Sequence, residues 1–351
     1  MEKTLVCVLF GGVSPEHEVS CASARSLLDI IDRSRFDVLP VGITKDGRWL
    51  LTSCETEEIE NGAWVNHPAS VPVVFSPSRG EEAGIWTGSK WIRPDCVFPV
   101  LHGENGEDGS MQGLFRLANI PFVGSSVTSS AICMDKAFTK MLCERAEIAQ
   151  AEWLLVYKKE IEEDMAAVVC QVEDQFVYPV FVKPANTGSS VGVSKAYDRR
   201  QLEEALSHAA QFDRKVLVEE FVDGLELEVG VLGNDEPIAS GVGQILPSRD
   251  FYSYESKYID GTSGLSFDPP ISEAKKEEVR NTALAVFRLL DCRGLSRVDF
   301  FFRKKDERVI FNEINTLPGF TKISMYPKLF DKAGVPYSEL ITKLILLGKE
   351  A

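Results

Sequence analysis

Arg297-Val298-Asp299 and Glu313-Ile314-Asn315 each set two polar side chains two residues apart inside an apolar run, 295–302 and 309–314. Side chains alternate faces along a strand, so each run has one polar face interrupting a buried strand. The intervening Arg303-Lys304-Lys305-Asp306-Glu307-Arg308 is charged and short, which lets the two strands pair as a hairpin and brings Asp299, Glu313 and Asn315 together. Hard oxygen ligands grouped in this way suit Mg²⁺, which takes one or two carboxylates and completes its shell with water and substrate phosphate. Arg297, on the same face, adds a fixed positive charge. A salt-bridged strand pair without a metal shows the same spacing, so the rest of the chain has to decide between the two.

The chain has 351 residues, room for two or three domains at ~100–200 residues each. A net charge of -15 argues against a general nucleic-acid or anionic-membrane surface and leaves room only for a local basic pocket. Small-molecule chemistry is favoured. The eight cysteines are scattered, with no Cys-x-x-Cys pair and no histidine at zinc spacing, and read as buried thiols in a reducing compartment. Residues 1–10 lack the length and cleavage region of a signal peptide, and no stretch approaches the ~20 apolar residues that span a bilayer. The expectation is a cytoplasmic protein that binds neither nucleic acid nor membrane.

Working back toward the N-terminus, 5–10 reads as a buried strand, 19–31 as a helix and 36–43 as a strand, the alternation of an α/β layer. Residues 45–90 are polar and irregular, a decorated edge of that layer; 95–101 is strand-like and 113–118 helical. A boundary near Ser125 follows. Residues 129–146 read as one helix, then 152–156 as extended, 166–172 as helix, 178–183 as strand, 199–210 as helix and 215–221 as strand, a small α+β unit. Strand 225–232 and helices 273–290 and 338–347 complete a third unit. The expected domains are 1–124, 125–222 and 223–351.

Phe181-Val182-Lys183-Pro184 ends a strand on a lysine, and Asn186-Thr187-Gly188-Ser189-Ser190-Val191-Gly192 follows as a small hydroxyl-bearing loop. Glycine lets the backbone approach an anion, N–H groups and hydroxyls donate to phosphate oxygens, and lysine adds a point charge. A plain glycine-serine turn has the same composition. The loop is neither a Walker A element nor a G-x-G-x-x-G dinucleotide loop. Lys136, opening a helical segment, could reach the same phosphates. The run 216–222 carries an apolar strand into Glu219-Glu220 and back to Phe221-Val222, an end that could face an adenine edge and pack on its ring, with Glu226 placed for ribose hydroxyls.

Taken in order, these elements resemble the ATP-grasp superfamily and, within it, the D-alanine–D-alanine ligases, over nearly the whole chain. Five motifs carry the resemblance: Gly11-Gly12-Val13-Ser14-Pro15-Glu16-His17-Glu18-Val19-Ser20, Leu101-His102-Gly103-Glu104-Asn105-Gly106-Glu107-Asp108-Gly109, the Lys183 to Gly192 loop, Tyr254-Glu255-Ser256-Lys257-Tyr258, and Asn312-Glu313-Ile314-Asn315-Thr316-Leu317-Pro318-Gly319-Phe320. The resemblance implies an α/β and α+β ATP-grasp fold of three units, with ATP between the central and C-terminal ones. Lys136, Lys183 and Ser190 would hold phosphates, Glu219, Glu220 and Val222 adenine, and Glu226 ribose. Asp299, Glu313 and Asn315 would hold two Mg²⁺ ions, or Mn²⁺ in their place.

By the same resemblance, a first D-alanine is activated as an acyl phosphate and the amine of a second displaces phosphate through a tetrahedral species. Arg297 and the Gly319 N–H would stabilise its oxyanion. Glu16 would bind the first ammonium group, with His102 near it or serving as a hydrogen-bonded structural histidine. Ser189 and Tyr258 would join Glu16 in orienting the second substrate, and Ser324 would contact its carboxylate. Lys257 and Tyr258 sit in 248–265, a lid candidate that would exclude water. Relatives that make D-alanyl-D-lactate typically carry a lid histidine where this chain has Tyr258, and several vancomycin-resistance relatives carry arginine at Met325. An apolar Met325 suits a methyl-bearing second substrate, because a serine hydroxyl buried there without a partner is penalised. A homodimer through the N-terminal unit is also implied. A purine-pathway carboxylate–amine ligase is disfavoured by the Glu16 motif and Tyr258, and a silent nucleotide-binding regulator by the retained Asp299, Glu313 and Asn315.

Overall fold

The computed structural model describes residues 3–246 and 264–350. Thr4–Gly11 is apolar on both faces and pairs in parallel with Phe36–Ile43 and with Cys96–Val100, the helix His17–Ile30 making the first crossover. Val6, Val8 and Phe10 face one core and Cys7 and Leu9 the other, as a strand covered on both sides requires. Short antiparallel strands Trp49–Leu51 and Val71–Pro72 extend the sheet at one edge, and Val74–Ser76, Gly84–Trp86 and Trp91–Ile92 form a small separate sheet. The irregular 45–90 stretch is therefore a decorated edge built of strands too short to show a period.

Two antiparallel sheets follow. Ser194–Ala196, Val180–Pro184, Lys215–Glu220 and Trp153–Tyr157 form the first, covered by Val169 and Val172 of helix Met165–Gln175 and by Leu202 and Leu206 of helix Arg199–Ala209. Gly264–Ser266, Ile238–Leu246, Gly224–Gly233, Gly294–Arg303 and Arg308–Asn315 form the second, backed by Val279, Ala283 and Val286 of helix Glu273–Leu289. The mixed α/β order expected from sequence is thus present, with the antiparallel sheets following the parallel one.

The structure corrects several details. The single helix expected over 129–146 is two, Val127–Met134 and Lys136–Arg145, because Asp135 leaves the helical region (φ -86°, ψ 97°) and its carboxylate accepts from the N–H groups of Ala137 and Phe138. Strand Ile238–Leu246 escaped the reading because Ser240, Gly241 and Gly243 weaken its pattern. Gly243 lets the strand lie close against Met325, since a Cβ would lie 2.8 Å from its sulfur. Helix Met325–Lys332 was hidden by Pro327, which is tolerated in its first turn. Helix Tyr337–Glu350, read as part of the third unit, packs Leu340, Ile341, Leu344 and Ile345 into the same core as Val6, Val8 and Phe10. Of the cysteines, all buried in expectation, Cys170 is exposed and Cys54 half-buried; all eight are free thiols.

Candidate active site

In the hairpin, Asp299 stands opposite Glu313 and Arg297 opposite Asn315. The register shifts immediately afterwards, Phe300 pairing with Phe311, so Asn312 is the extra residue of a bulge. Arg297 donates through Nε and Nη2 to the two Asp299 oxygens, at 2.8 and 2.7 Å, and lies 3.3 Å from Glu228. Burial works against the guanidinium's charge, but Asp299 and Glu228 outweigh it and raise its pKa well above the ordinary value. Asn315 Nδ2 lies 3.1 Å from Asp299.

Among the described residues no group of three or more His, Cys, Asp and Glu side chains is arranged to hold a metal. Two carboxylates and an amide are an incomplete shell, which fits Mg²⁺ bound together with phosphate and water rather than in an all-protein cage. The donor set therefore fits a nucleotide-dependent metal site, provided that Asn315 presents Oδ1 to the ion.

Across from the hairpin, Lys136 opens its helix and donates to the Thr187 carbonyl at 2.7 Å, its ammonium 3.9 Å from Glu313. Burial pushes this lysine down, against the pull of Glu313. Its position is fixed by Asp135, which caps the helix and pairs with the buried Lys215. Asp135→Ala removes the cap and leaves Lys215 without its partner. The expected cost is about 3–5 kcal/mol, seen as a lower unfolding midpoint in denaturant.

Lys183 pairs with Glu219 at 2.7 Å. The following loop holds Ser189 and Ser190 in the left-handed region (φ 49° and 60°), a conformation that costs roughly 1–3 kcal/mol per non-glycine residue. Ser189 Oγ donates to the Glu16 carboxylate, which ties this loop to the N-terminal unit.

These groups enclose a cavity of about 280 Å³. Lys136, Lys183, Ser189, Ser190, Glu219, Glu220, Val222, Glu226, Glu313 and Asn315 line it, as do Phe181, Phe221, Phe301 and Ile314, which give it an apolar wall. Phe181 and Phe301 were missed, although both sit at period two from named residues, Lys183 and Asp299. Glu107 was missed as well. It also lines the cavity, accepts from the Gly103 N–H at 2.7 Å, and is pushed up to about 8 by burial, the charge of Glu16 adding to the effect. Its motif holds three acids, Glu104, Glu107 and Asp108, and spacing alone does not tell which one turns inward.

Glu16 is buried beside the same motif, so closely that a Cβ at Gly103 (φ +67°) would meet its carboxylate at 2.5 Å. His102 accepts a place in a buried chain. A carbonyl can only accept, so Nδ1 carries the proton given to Leu317 O (3.1 Å), and Nε2 faces Ser23 Oγ at 3.4 Å, which in turn accepts from the Phe320 N–H. Burial pushes the imidazole down, against the pull of Glu16. His102 thus braces the loop that carries Gly319.

Ser324 Oγ accepts from the Thr321 N–H at 3.0 Å, and a Cβ at Gly319 would lie 2.9 Å from it. Met325 is buried with Ile245 and Leu329 and is not among the residues that line the cavity. Its apolar character serves that cluster. Lys257 and Tyr258, and the lid candidate up to residue 263, lie outside the described residues.

A cavity between two antiparallel sheets, with Lys183 on one, Lys136 on the helix beside it and Glu313 on the hairpin of the other, is the arrangement of ATP-grasp ligases. Sequence models described as D-ala D-ala ligase N-terminus and D-ala D-ala ligase C-terminus match residues 5–125 and 142–346. A D-alanine–D-alanine ligase of Acetivibrio thermocellus is 49% identical, with 99% of this chain and 96% of the relative covered. Among solved structures, the VanG D-Ala:D-Ser ligase from Enterococcus faecalis superposes with a TM-score of 0.89 at 37% identity, covering 99% of this chain and 100% of that one. The D-alanine–D-alanine ligase from Coxiella burnetii gives 0.86 at 31%, covering 99% and 96%. The chain belongs to the D-alanine–D-alanine ligase family.

Proposed function

We propose that this chain joins two D-alanine molecules at the expense of ATP, releasing ADP and phosphate and supplying peptidoglycan synthesis. One observation carries the reading: Lys136 of the central unit and Glu313 of the C-terminal hairpin stand 3.9 Å apart on the wall of one cavity, a cation for a phosphate chain beside a carboxylate for its metal. Asp299, Glu313 and Asn315 would hold two Mg²⁺ ions, which when bound would screen the nucleotide's negative charge from an attacking carboxylate. Lys136, Lys183 and Ser190 hold the phosphates. Glu219, Glu220 and Val222 meet adenine, with Phe181 and Phe221 as its walls, and Glu226 takes the ribose.

Glu16 holds the ammonium group of the first D-alanine, whose carboxylate takes the γ-phosphoryl group to become an acyl phosphate. The amine of the second D-alanine then attacks that carbon, and phosphate leaves. Arg297, held to Asp299 through Nε and Nη2, and the Gly319 N–H stabilise the oxyanion. Ser189, linked to Glu16 and completed by Tyr258, orients the incoming amine and takes part in removing its proton. Ser324, at the start of helix Met325–Lys332, receives the second carboxylate. Lys257 and Tyr258 close the site as parts of a lid. The division 1–124, 125–222 and 223–351, a homodimer and a cytoplasmic location belong to the same reading. In its support, among the described residues no helix is long and apolar enough to cross a membrane.

The likeness to a D-Ala:D-Ser ligase makes D-serine the second reading for the acceptor. ADP release is the test, measured with D-alanine alone and with D-alanine plus D-serine, D-lactate or L-alanine. D-Alanine alone is expected to support turnover. Absence of D-alanine-dependent ADP would defeat the proposal, and turnover only when D-serine is added would move it to the second reading.

A further inference from the structure

Lys140 lies one helical turn beyond Lys136, on the same helix, yet its side chain is only 2% exposed and does not line the cavity. A lysine ammonium is almost never buried without a compensating partner. Its partner is Glu219: Lys140 Nζ lies 3.2 Å from Oε1, while Lys183 Nζ lies 2.7 Å from Oε2. Among the described residues neither Lys140 Nζ nor Glu219 Oε1 makes a hydrogen bond of good geometry, so the contact acts through charge rather than through direction.

The charges of this row decide what a phosphate would meet. Lys183 and Glu219 by themselves form a neutral pair, and a neutral pair offers an anion little attraction. With Lys140 behind it, the row of two cations and one carboxylate is positive by one unit. The carboxylate is shared with a cation on the protein side, and the net positive charge of the row is met at its cavity end, at Lys183. We propose that Lys140 is a positioning residue that neutralises Glu219 from behind, keeping the positive charge of Lys183 available to the nucleotide phosphates. The inference rests on the reading of Lys183 as a phosphate ligand and adds a residue that does not itself touch the nucleotide. Burial pushes the Lys140 ammonium down, against the pull of Glu219; burial of Glu219 is outweighed by Lys140 and Lys183, which hold it below the usual carboxylate range.

The test measures MgADP binding by calorimetry, with steady-state kinetics beside it, for the full chain. Lys140→Met is expected to weaken MgADP binding about tenfold and to raise the KM for ATP more than it lowers kcat, with the KM for D-alanine unchanged. Lys140→Arg keeps the buried positive charge and should bind MgADP more tightly than Lys140→Met, retaining most of the wild-type affinity. A role limited to filling space would not distinguish the two by charge. Lys140→Gln carries the same expectations as Lys140→Met should the methionine variant not fold. Unchanged MgADP affinity in a folded Lys140→Met or Lys140→Gln variant, or a folded Lys140→Arg variant no tighter than they are, overturns the inference. Wild-type protein that binds no MgADP overturns the functional reading on which it rests.

Discussion

Glu313→Gln is expected to lower kcat by about 10³-fold while leaving the folded protein intact. The carboxylate stands across the hairpin from Asp299 and faces Lys136, so it is the group best placed to share a metal with the phosphates. The substitution is isosteric and the side chain is 28% exposed, which keeps the folding cost small. Loss of its charge weakens metal binding and also leaves Lys136 without its nearest acid. ADP release at saturating substrates, over a range of Mg²⁺ concentrations, separates the two effects: partial recovery at high Mg²⁺ marks a weakened site. Near-normal turnover at ordinary Mg²⁺ would remove Glu313 from the metal site.

The second large effect falls on Arg297. Arg297→Lys keeps a positive charge but cannot make the two-pronged contact with Asp299, and a lysine has no further edge to offer an oxyanion. A loss of about 10²–10³ in kcat is expected, the usual cost of removing one oxyanion donor. Arg297 also balances both Asp299 and Glu228, so Arg297→Met adds a stability loss, because two buried carboxylates paired across the strands then lose the guanidinium they share. The lysine variant separates chemistry from folding: an unchanged unfolding midpoint with low kcat supports the assigned role, and normal kcat contradicts it.

The hairpin could be read from sequence because three signals agreed there: strand periodicity, a charged turn and polar residues on one face. Lys183 was legible for a similar reason, a strand ending against a glycine-serine loop. Other features left no such trace. Lys140 looks like an ordinary surface lysine of an amphipathic helix, and only the sheet behind it, carrying Glu219, makes it a buried charge. Glu107 becomes distinct from Glu104 and Asp108 only when the chain folds back on Gly103. Met325 drew its substrate role from the arginine that several relatives carry there; its packing against Ile245, on a strand whose glycines concealed it, and against Leu329 of its own helix left no trace in the sequence. The last helix reads as amphipathic in any context; that its apolar face closes the N-terminal core is a tertiary fact.

The account depends on divalent metal and triphosphate meeting between the two antiparallel sheets. A crystal structure of the chain with ADP, Mg²⁺ and a phosphinate mimic of the tetrahedral species tests this directly. It should show the metal ions bound by Asp299, Glu313 and Asn315 together with phosphate oxygens, and the phosphinate oxygen against Arg297 and the Gly319 N–H. Metal bound elsewhere, or a nucleotide whose phosphates point away from Lys136 and Lys183, would contradict it.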